Sequence, residues 1–294
     1  MAWLTVTLRG DAASAHALAD LLSEAGALAV TLLNAGDVPV LEPGPEETPL
    51  WSATRVEGLF QDREAADLIA WLRARAPGAA LAGTEVGQVE DRDWVRETTR
   101  AFGPLHIGGR LWVCPSWHEP PDPTAVSLRL DPGLAFGTGT HPSTALCLEW
   151  LADADLDGKA MVDYGTGSGI LVIAALRLGA ACGWAVDHDP QALVAARDNA
   201  VRNGVLGRLQ VVASDALPSL QVDLVVANIL AGPLVGLAPR LSGLVRSGGT
   251  LVLSGVLVEQ AEAVAEAYAG AVPLALDAER EGWCRLVGRR AGGG

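Results

Sequence analysis

Beyond residue 124 the sequence alternates short apolar runs with stretches of helical spacing, and few architectures accept that alternation. Ala160–Tyr164, Trp184–Asp187, Leu209–Ala213, Asp223–Asn228 and Thr250–Ser254 each read as a strand, with an amphipathic or apolar helix between neighbours. Strands that take turns with helices predict a doubly wound parallel α/β sheet, covered on both faces. The alternation then stops. After a helix at Glu259–Tyr268 come two strand-like runs in direct succession, Val272–Leu276 and Trp283–Val287, joined by a turn over Asp277–Gly282. Two consecutive strands predict an antiparallel hairpin at the sheet edge, for seven strands in all.

The first 90 residues follow a different order. Residues 2–8 alternate as a strand, 14–25 carry helical spacing and 27–33 form a second strand. After a Pro- and Glu-rich turn the pattern returns as a strand at 51–60, a helix at 64–75 and a strand at 82–89. This β-α-β-β-α-β order predicts a small α+β, ferredoxin-like sandwich. From Asp91 to Pro123 no period is visible. Trp94, Trp112 and Trp117 lie among charges, and Glu119-Pro120-Pro121-Asp122-Pro123 reads as a stiff linker. The expected organisation is therefore a domain at 1–90, a linker at 91–123 and a second domain at 124–294, with the tryptophans packing between linker and domains.

Composition narrows the functional classes. At 294 residues, half of them apolar and 19% charged, the chain can fill two cores and is not a disordered segment. A formal net charge of −14 argues against holding nucleic acid on a broad basic face, since that binding needs cations on phosphates. The acid excess is concentrated early, with 18 acids against 9 arginines in residues 1–122 and 17 acids against 12 bases beyond. A basic partner suits such a surface. The four cysteines, Cys114, Cys147, Cys182 and Cys284, show no metal-ligand spacing and read as buried thiols of a reducing compartment. No leader pattern precedes residue 10, and no apolar stretch approaches the roughly 20 residues of a membrane span, so a cytoplasmic location is expected. Lys159, the single lysine, lies in an Asp-rich turn and is not a catalytic candidate.

The residues that carry chemistry cluster at predicted strand ends. Asp163-Tyr164-Gly165-Thr166-Gly167-Ser168-Gly169 links the first strand of the parallel sheet to the helix Ile170–Leu178. Its glycines let the backbone turn tightly and approach a ligand, at the carboxyl edge where such sheets bind cofactors. Gly165 and Gly167 are the candidate contacts. Asp187 ends the second strand 18 residues after Gly169, where a carboxylate can accept from both ribose hydroxyls, while Asp189 before Pro190 suits a helix N-cap. Asp215 follows the third strand and is a candidate for an adenine amino group, or an ordinary turn residue. The loop reads Gly-x-Gly-x-Gly rather than the Gly-x-Gly-x-x-Gly that seats a pyrophosphate, and Gly137-Thr138-Gly139-Thr140-His141-Pro142 lacks the lysine of a phosphate loop. A ligand without phosphates is implied, with Asp163 suited to an ammonium group. The fourth strand ends in Asn228-Ile229-Leu230-Ala231-Gly232-Pro233-Leu234, whose amide oxygen can accept from a substrate amine or cap the next segment. His141 beside Pro142 reads as a capping or packing residue before a helix at 144–151 rather than a base, and His188 as solvent-facing.

Taken together, DPGLAFGTGTHPSTALCLEWL, the glycine loop, VDHDPQA and VANILAGPL resemble the bacterial methyltransferases that modify large-subunit ribosomal protein L-11, the PrmA family. The resemblance extends through LWVCPSW and EGWCRLVG to the whole chain, with Thr166 where the family commonly has Cys. It implies a Rossmann-like class I methyltransferase domain behind a substrate-recognition domain. It implies S-adenosyl-L-methionine as donor, contacted by Thr144, Gly165, Asp187 and Asn228, with Phe136, Gly167 and Asp215 as further candidate contacts, and methyl transfer to lysine or other amino groups of that ribosomal protein. Asn228 is the expected catalytic residue, orienting the amine without acting as a base. Two other readings share these residues: methylation of a small molecule or nucleic acid, with the N-terminal domain as a dimerisation module, and a non-catalytic protein that senses the donor.

Overall fold

A computed structural model describes residues 3–36, 50–61, 64–75, 83–89, 102–131 and 139–292. The chain divides into two compact units, Met1–Glu97 and Thr98–Gly294. In the first, strands β1 (Trp3–Gly10), β2 (Ala29–Asn34), β3 (Thr54–Gln61) and β4 (Glu85–Val89) form one antiparallel sheet in the order β2-β3-β1-β4. Helices α1 (Ala15–Glu24) and α2 (Ala65–Arg73) fall where the sequence puts them. The alternation in β1 sends Leu4, Val6 and Leu8 into a core with Val56 and Phe60, and the i, i+4 pairs Leu18/Leu22 and Leu68/Leu72 close it from the helices. This is the expected ferredoxin-like arrangement.

The second unit begins earlier than residue 124. Leu105–Gly108 (β5), Leu111–Cys114 (β6) and Val126–Arg129 (β7) make a three-stranded sheet, so two strands fall within the expected linker. Leu111, Val113 and Leu128 are buried in the same core as the helices of this unit, which is why the segment is ordered. Trp112 lies half-buried against His106, with ring centroids 4.5 Å apart, and the Trp117 indole N–H donates to the Phe102 carbonyl at 3.2 Å. Trp94 lies outside the described residues.

Helix α3 (Pro142–Asp153) leads into a seven-stranded sheet of β8 (Ala160–Tyr164), β9 (Cys182–Asp187), β10 (Leu209–Ala213), β11 (Val222–Asn228), β12 (Val245–Leu257), β13 (Leu274–Arg280) and β14 (Trp283–Arg289). The order is β10-β9-β8-β11-β12-β14-β13, parallel except for β14, which runs antiparallel to both neighbours. The central strands β8 and β11 are mostly apolar because both faces of the sheet are covered there. Leu224 and Val226 of β11 join the core under α4 (Ile170–Leu178) and α5 (Pro190–Arg202), and Val225 and Ala227 join the core under α6 (Ala231–Gly236), α7 (Ala238–Leu244) and α8 (Ala261–Tyr268). The expected turn over Asp277–Gly282 shrinks to Glu281-Gly282, both at positive φ (51° and 81°), as a two-residue hairpin turn requires. Strand order reverses between β8 and β11, which opens a crevice at their carboxyl ends.

Candidate active site

That crevice is a cavity of about 1420 Å³, walled by the glycine loop after β8, the end of β9, the loop after β11, the start of α3 and Trp283 of the edge hairpin. The loop turns because its glycines reach conformations closed to other residues. Gly165 has φ 75° and Gly167 φ 53°, and a Cβ on Gly165 would stand 2.2 Å from Ile229 Cγ2. Both line the cavity.

The loop's amides are engaged internally. Gly165 and Thr166 N–H both donate to the Val186 carbonyl, at 2.8 and 2.9 Å, and Gly167 N–H donates to Asp187 Oδ2 at 2.9 Å. Asp187 Oδ1 accepts from the N–H groups of His188 and Asp189 at 2.8 and 3.0 Å. Three backbone donors therefore fix a nearly buried carboxylate at the cavity wall. These amides do not form a nest for a phosphate, since they face their own strand and their own carboxylate. The charged side chains on the wall are Asp131, Asp187, Asp189, Asp198 and Arg202, an arrangement suited to a cationic ligand rather than a polyanion. Asp189 caps α5, its carboxylate accepting from Gln191 N–H at 2.8 Å.

Asp163 does something other than the expected ammonium contact. It is fully buried behind the loop and is not on the cavity wall. Its Oδ2 accepts from the Thr166 hydroxyl at 2.7 Å and from Val172 N–H at 3.3 Å, so it ties the glycine loop to the first turn of α4, while its Oδ1 is buried without a partner among the described residues. Burial pushes its carboxyl up to about 7. Thr166 thus supplies a hydroxyl bond that a Cys at this position would make only weakly.

Asn228, at the end of β11, lines the cavity. Its Nδ2 donates to Thr144 Oγ1 at 3.1 Å, and its Oδ1 is buried without a hydrogen-bond partner among the described residues. Thr144 itself is 1% exposed and stands behind Asn228 rather than on the wall. Asp215 is not brought in either. It is exposed on the turn after β10, whereas its neighbour Ser214 reaches the cavity. Phe136 lies outside the described residues. His141 caps α3: its Nδ1 accepts from Ser143 N–H at 3.3 Å and from the Ser143 hydroxyl at 2.8 Å, and its ring meets Trp283 edge-on at 4.8 Å. Burial holds its pKa below the usual value, against the opposing charge of Glu281, which favours the neutral ring that capping needs.

Sequence patterns alone did not single out Trp283, Tyr164 or Asn199. Asn199 is buried on α5 and donates to the Ser168 carbonyl at 2.9 Å, bracing the glycine loop from the far side. A polar residue on the inward face of an otherwise apolar helix stripe was its only signal.

The seven-stranded order with its antiparallel β14, the glycine loop and the fixed acid at the end of β9 define a Rossmann-like class I methyltransferase. The comparisons agree with that class. A family model described as ribosomal protein L11 methyltransferase (PrmA) matches residues 2–291, and the chain belongs to this family. The ribosomal protein L11 methyltransferase of Escherichia coli (strain SMS-3-5 / SECEC) is 51% identical over 292 residues, 99% of this chain and 100% of that protein. The one from Vibrio cholerae serotype O1 is 50% identical over 295 residues, with the same coverage. Among solved structures, ribosomal protein L11 methylase from Lactobacillus delbrueckii subsp. bulgaricus is 33% identical with a TM-score of 0.59, covering 65% of this chain and 100% of that one.

Proposed function

We propose that this methyltransferase moves methyl groups from S-adenosyl-L-methionine to lysine or other amine nitrogens of large-subunit ribosomal protein L11, in the cytoplasm. The relatives' names supply the substrate. The observation that carries the chemistry is Asn228 on the cavity wall, whose amide Oδ1 is buried with no hydrogen-bond donor among the described residues. An amine N–H fits it.

The residues on the wall suit the donor. Asp187 is held for two ribose hydroxyls, Gly165 and Gly167 let the ligand approach the backbone, and the carboxylates favour a sulfonium cation over a dinucleotide. The donor brings an activated methyl group: the S–C bond breaks as the N–C bond forms, and its electron pair returns to sulfur to leave a neutral thioether. What remains for the chain is to present a neutral amine in line. At pH 7 a lysine of pKa about 10.4 must give up its proton at a cost of roughly 4.6 kcal/mol, so the site must offset part of this by desolvation. Asn228 is no base. Its carbonyl accepts an amine N–H and so aims the lone pair, the proton leaves to solvent, and proximity supplies most of the acceleration. The acidic first unit is the docking surface for the ribosomal protein, a basic partner by charge complementarity.

Labelled methyl groups from the donor, supplied with the enzyme to extracts lacking its activity, test this reading. Label in a large-subunit ribosomal protein is expected. Label confined to RNA or metabolites, or no transfer at all, would overturn it.

A further inference from the structure

Where β12 passes the end of β11, its pairing with β14 is broken by one extra residue. Leu253 faces Leu286 and Val256 faces Cys284, so Ser254 and Gly255 together stand against Arg285 alone. Such a two-for-one bulge bends its strand and re-aims what lies beside it. This one is not at a sheet edge, since β12 is flanked by β11 and β14 and pairing with β14 resumes at Val256. The Ser254 hydroxyl closes the gap by donating to the Cys284 carbonyl at 2.8 Å, wholly out of solvent. Ser254 is also the last β12 residue paired with β11, and its partner there is Asn228. The bulge therefore falls at the rung where the acceptor end of the cavity begins.

Gly255 lies on the cavity wall at φ 81°. A Cβ on it would stand 2.5 Å from the Ile229 carbonyl oxygen and 2.8 and 2.9 Å from Ile229 C and N. These are backbone atoms, with no rotamer to give way. The Ile229 side chain meets a second glycine, its Cγ2 occupying the place that a Cβ on Gly165 would take. The turn after Asn228 is thus gripped between two glycines, one in the loop the donor approaches and one in the bulge. Ordinary contact begins near 3.4 Å, so a side chain at 255 must push that turn back by roughly an ångström.

We infer that Gly255 is a positioning residue for methyl transfer: the bulge and its missing side chain seat the Asn228–Ile229 turn, and so set the reach from the glycine loop to the acceptor amine. Gly255 acts through that turn, and the inference rests on the amine-orienting reading of Asn228.

The experiment measures kcat for methyl transfer to the ribosomal protein and donor Kd by calorimetry on the same variants. Gly255→Ala adds one methyl group. Its kcat is expected to fall by about tenfold to a hundredfold, as an ångström's misplacement of a reacting group does, with donor Kd changed less than about threefold. Ser254→Ala removes the hydroxyl that closes the bulge and adds no bulk, and kcat should fall by about threefold to tenfold with donor Kd again held. This variant decides the matter if Gly255→Ala does not fold. In an Asn228→Ala background each further loss should shrink to about twofold, because the group being placed is gone. A glycine needed only for the fold would lower donor affinity along with turnover and cost the same factor in both backgrounds. Either result overturns the inference, as does an undiminished kcat in Gly255→Ala or, where that variant is unfolded, in Ser254→Ala. If Asn228→Ala alone keeps normal turnover, the reading of Asn228 fails instead.

Discussion

At the glycine-loop end of the cavity the polar groups are bonded to one another, with Gly165, Thr166 and Gly167 giving their N–H groups to Val186 and Asp187. At the Asn228 end a buried oxygen is left with no partner among the described residues. The first end is finished before any ligand arrives, as a site for tight and uniform binding should be. The second is completed only by a reactant. Interactions of the first kind set affinity, and those of the second kind set turnover.

The largest break in this comparison comes from Gly165→Val. The residue sits at φ 75° with Ile229 at 2.2 Å from any Cβ, so the loop must distort, and calorimetry should detect no donor binding. A folded variant with normal affinity would remove the loop from the donor end.

A shortened chain starting at Thr98 tests whether the cavity is self-sufficient. The second unit holds its own two cores and every cavity residue named above. It should fold and bind the donor, yet lose several kcal/mol of transition-state stabilisation toward intact ribosomal protein, read as kcat/KM, for want of tethering. Full activity of the shortened chain would leave the first unit without a docking role.

Asp187→Ala sharpens the contrast further. It removes a buried carboxylate that three backbone amides hold in place, and donor Kd should weaken by about 2–4 kcal/mol. An unchanged Kd would exclude Asp187 from the donor site.

A last test concerns pH and the ground beneath the loop. Burial raises the Asp163 carboxyl from 3.8 to about 7, so the folded state binds this proton more tightly than the unfolded state. Its contribution to stability is then greatest below about pH 4, declines by at most about 1.4 kcal/mol per pH unit up to about 7, and is flat beyond. Asp163→Asn cannot titrate. Its stability relative to the parent should rise across that window in denaturant titrations, and parallel pH profiles would contradict a raised Asp163.

Much of the fold is legible in the sequence where an apolar run is bounded by glycine or charge. Ala160–Tyr164, Leu209–Ala213 and the helix Ile170–Leu178 coincide with the structure residue for residue. The strands at 105–108 and 111–114 are not legible, because four residues carry too little period and Gly108-Gly109 reads as loop. Val245 to Gly249 extends β12 although Ser247-Gly248-Gly249 has the composition of a turn. At the site, strand ends show which residues reach the crevice but not which way a carboxylate faces. Asp163 and Asp187 are both acids near a strand end, and only packing turns one to the helix behind and the other to the cavity. Asp215 and Ser214 differ by one position on a turn, a distinction that no periodicity carries.

The division between a binding end and a reacting end meets its most direct test in Asn228→Ala, with donor Kd by calorimetry and kcat by methyl transfer to the ribosomal protein measured on the same preparation. The expected result is a kcat lowered by about a hundredfold or more with donor affinity within about tenfold of the parent. Turnover near the parent's, or an affinity that falls as steeply as turnover, would contradict it.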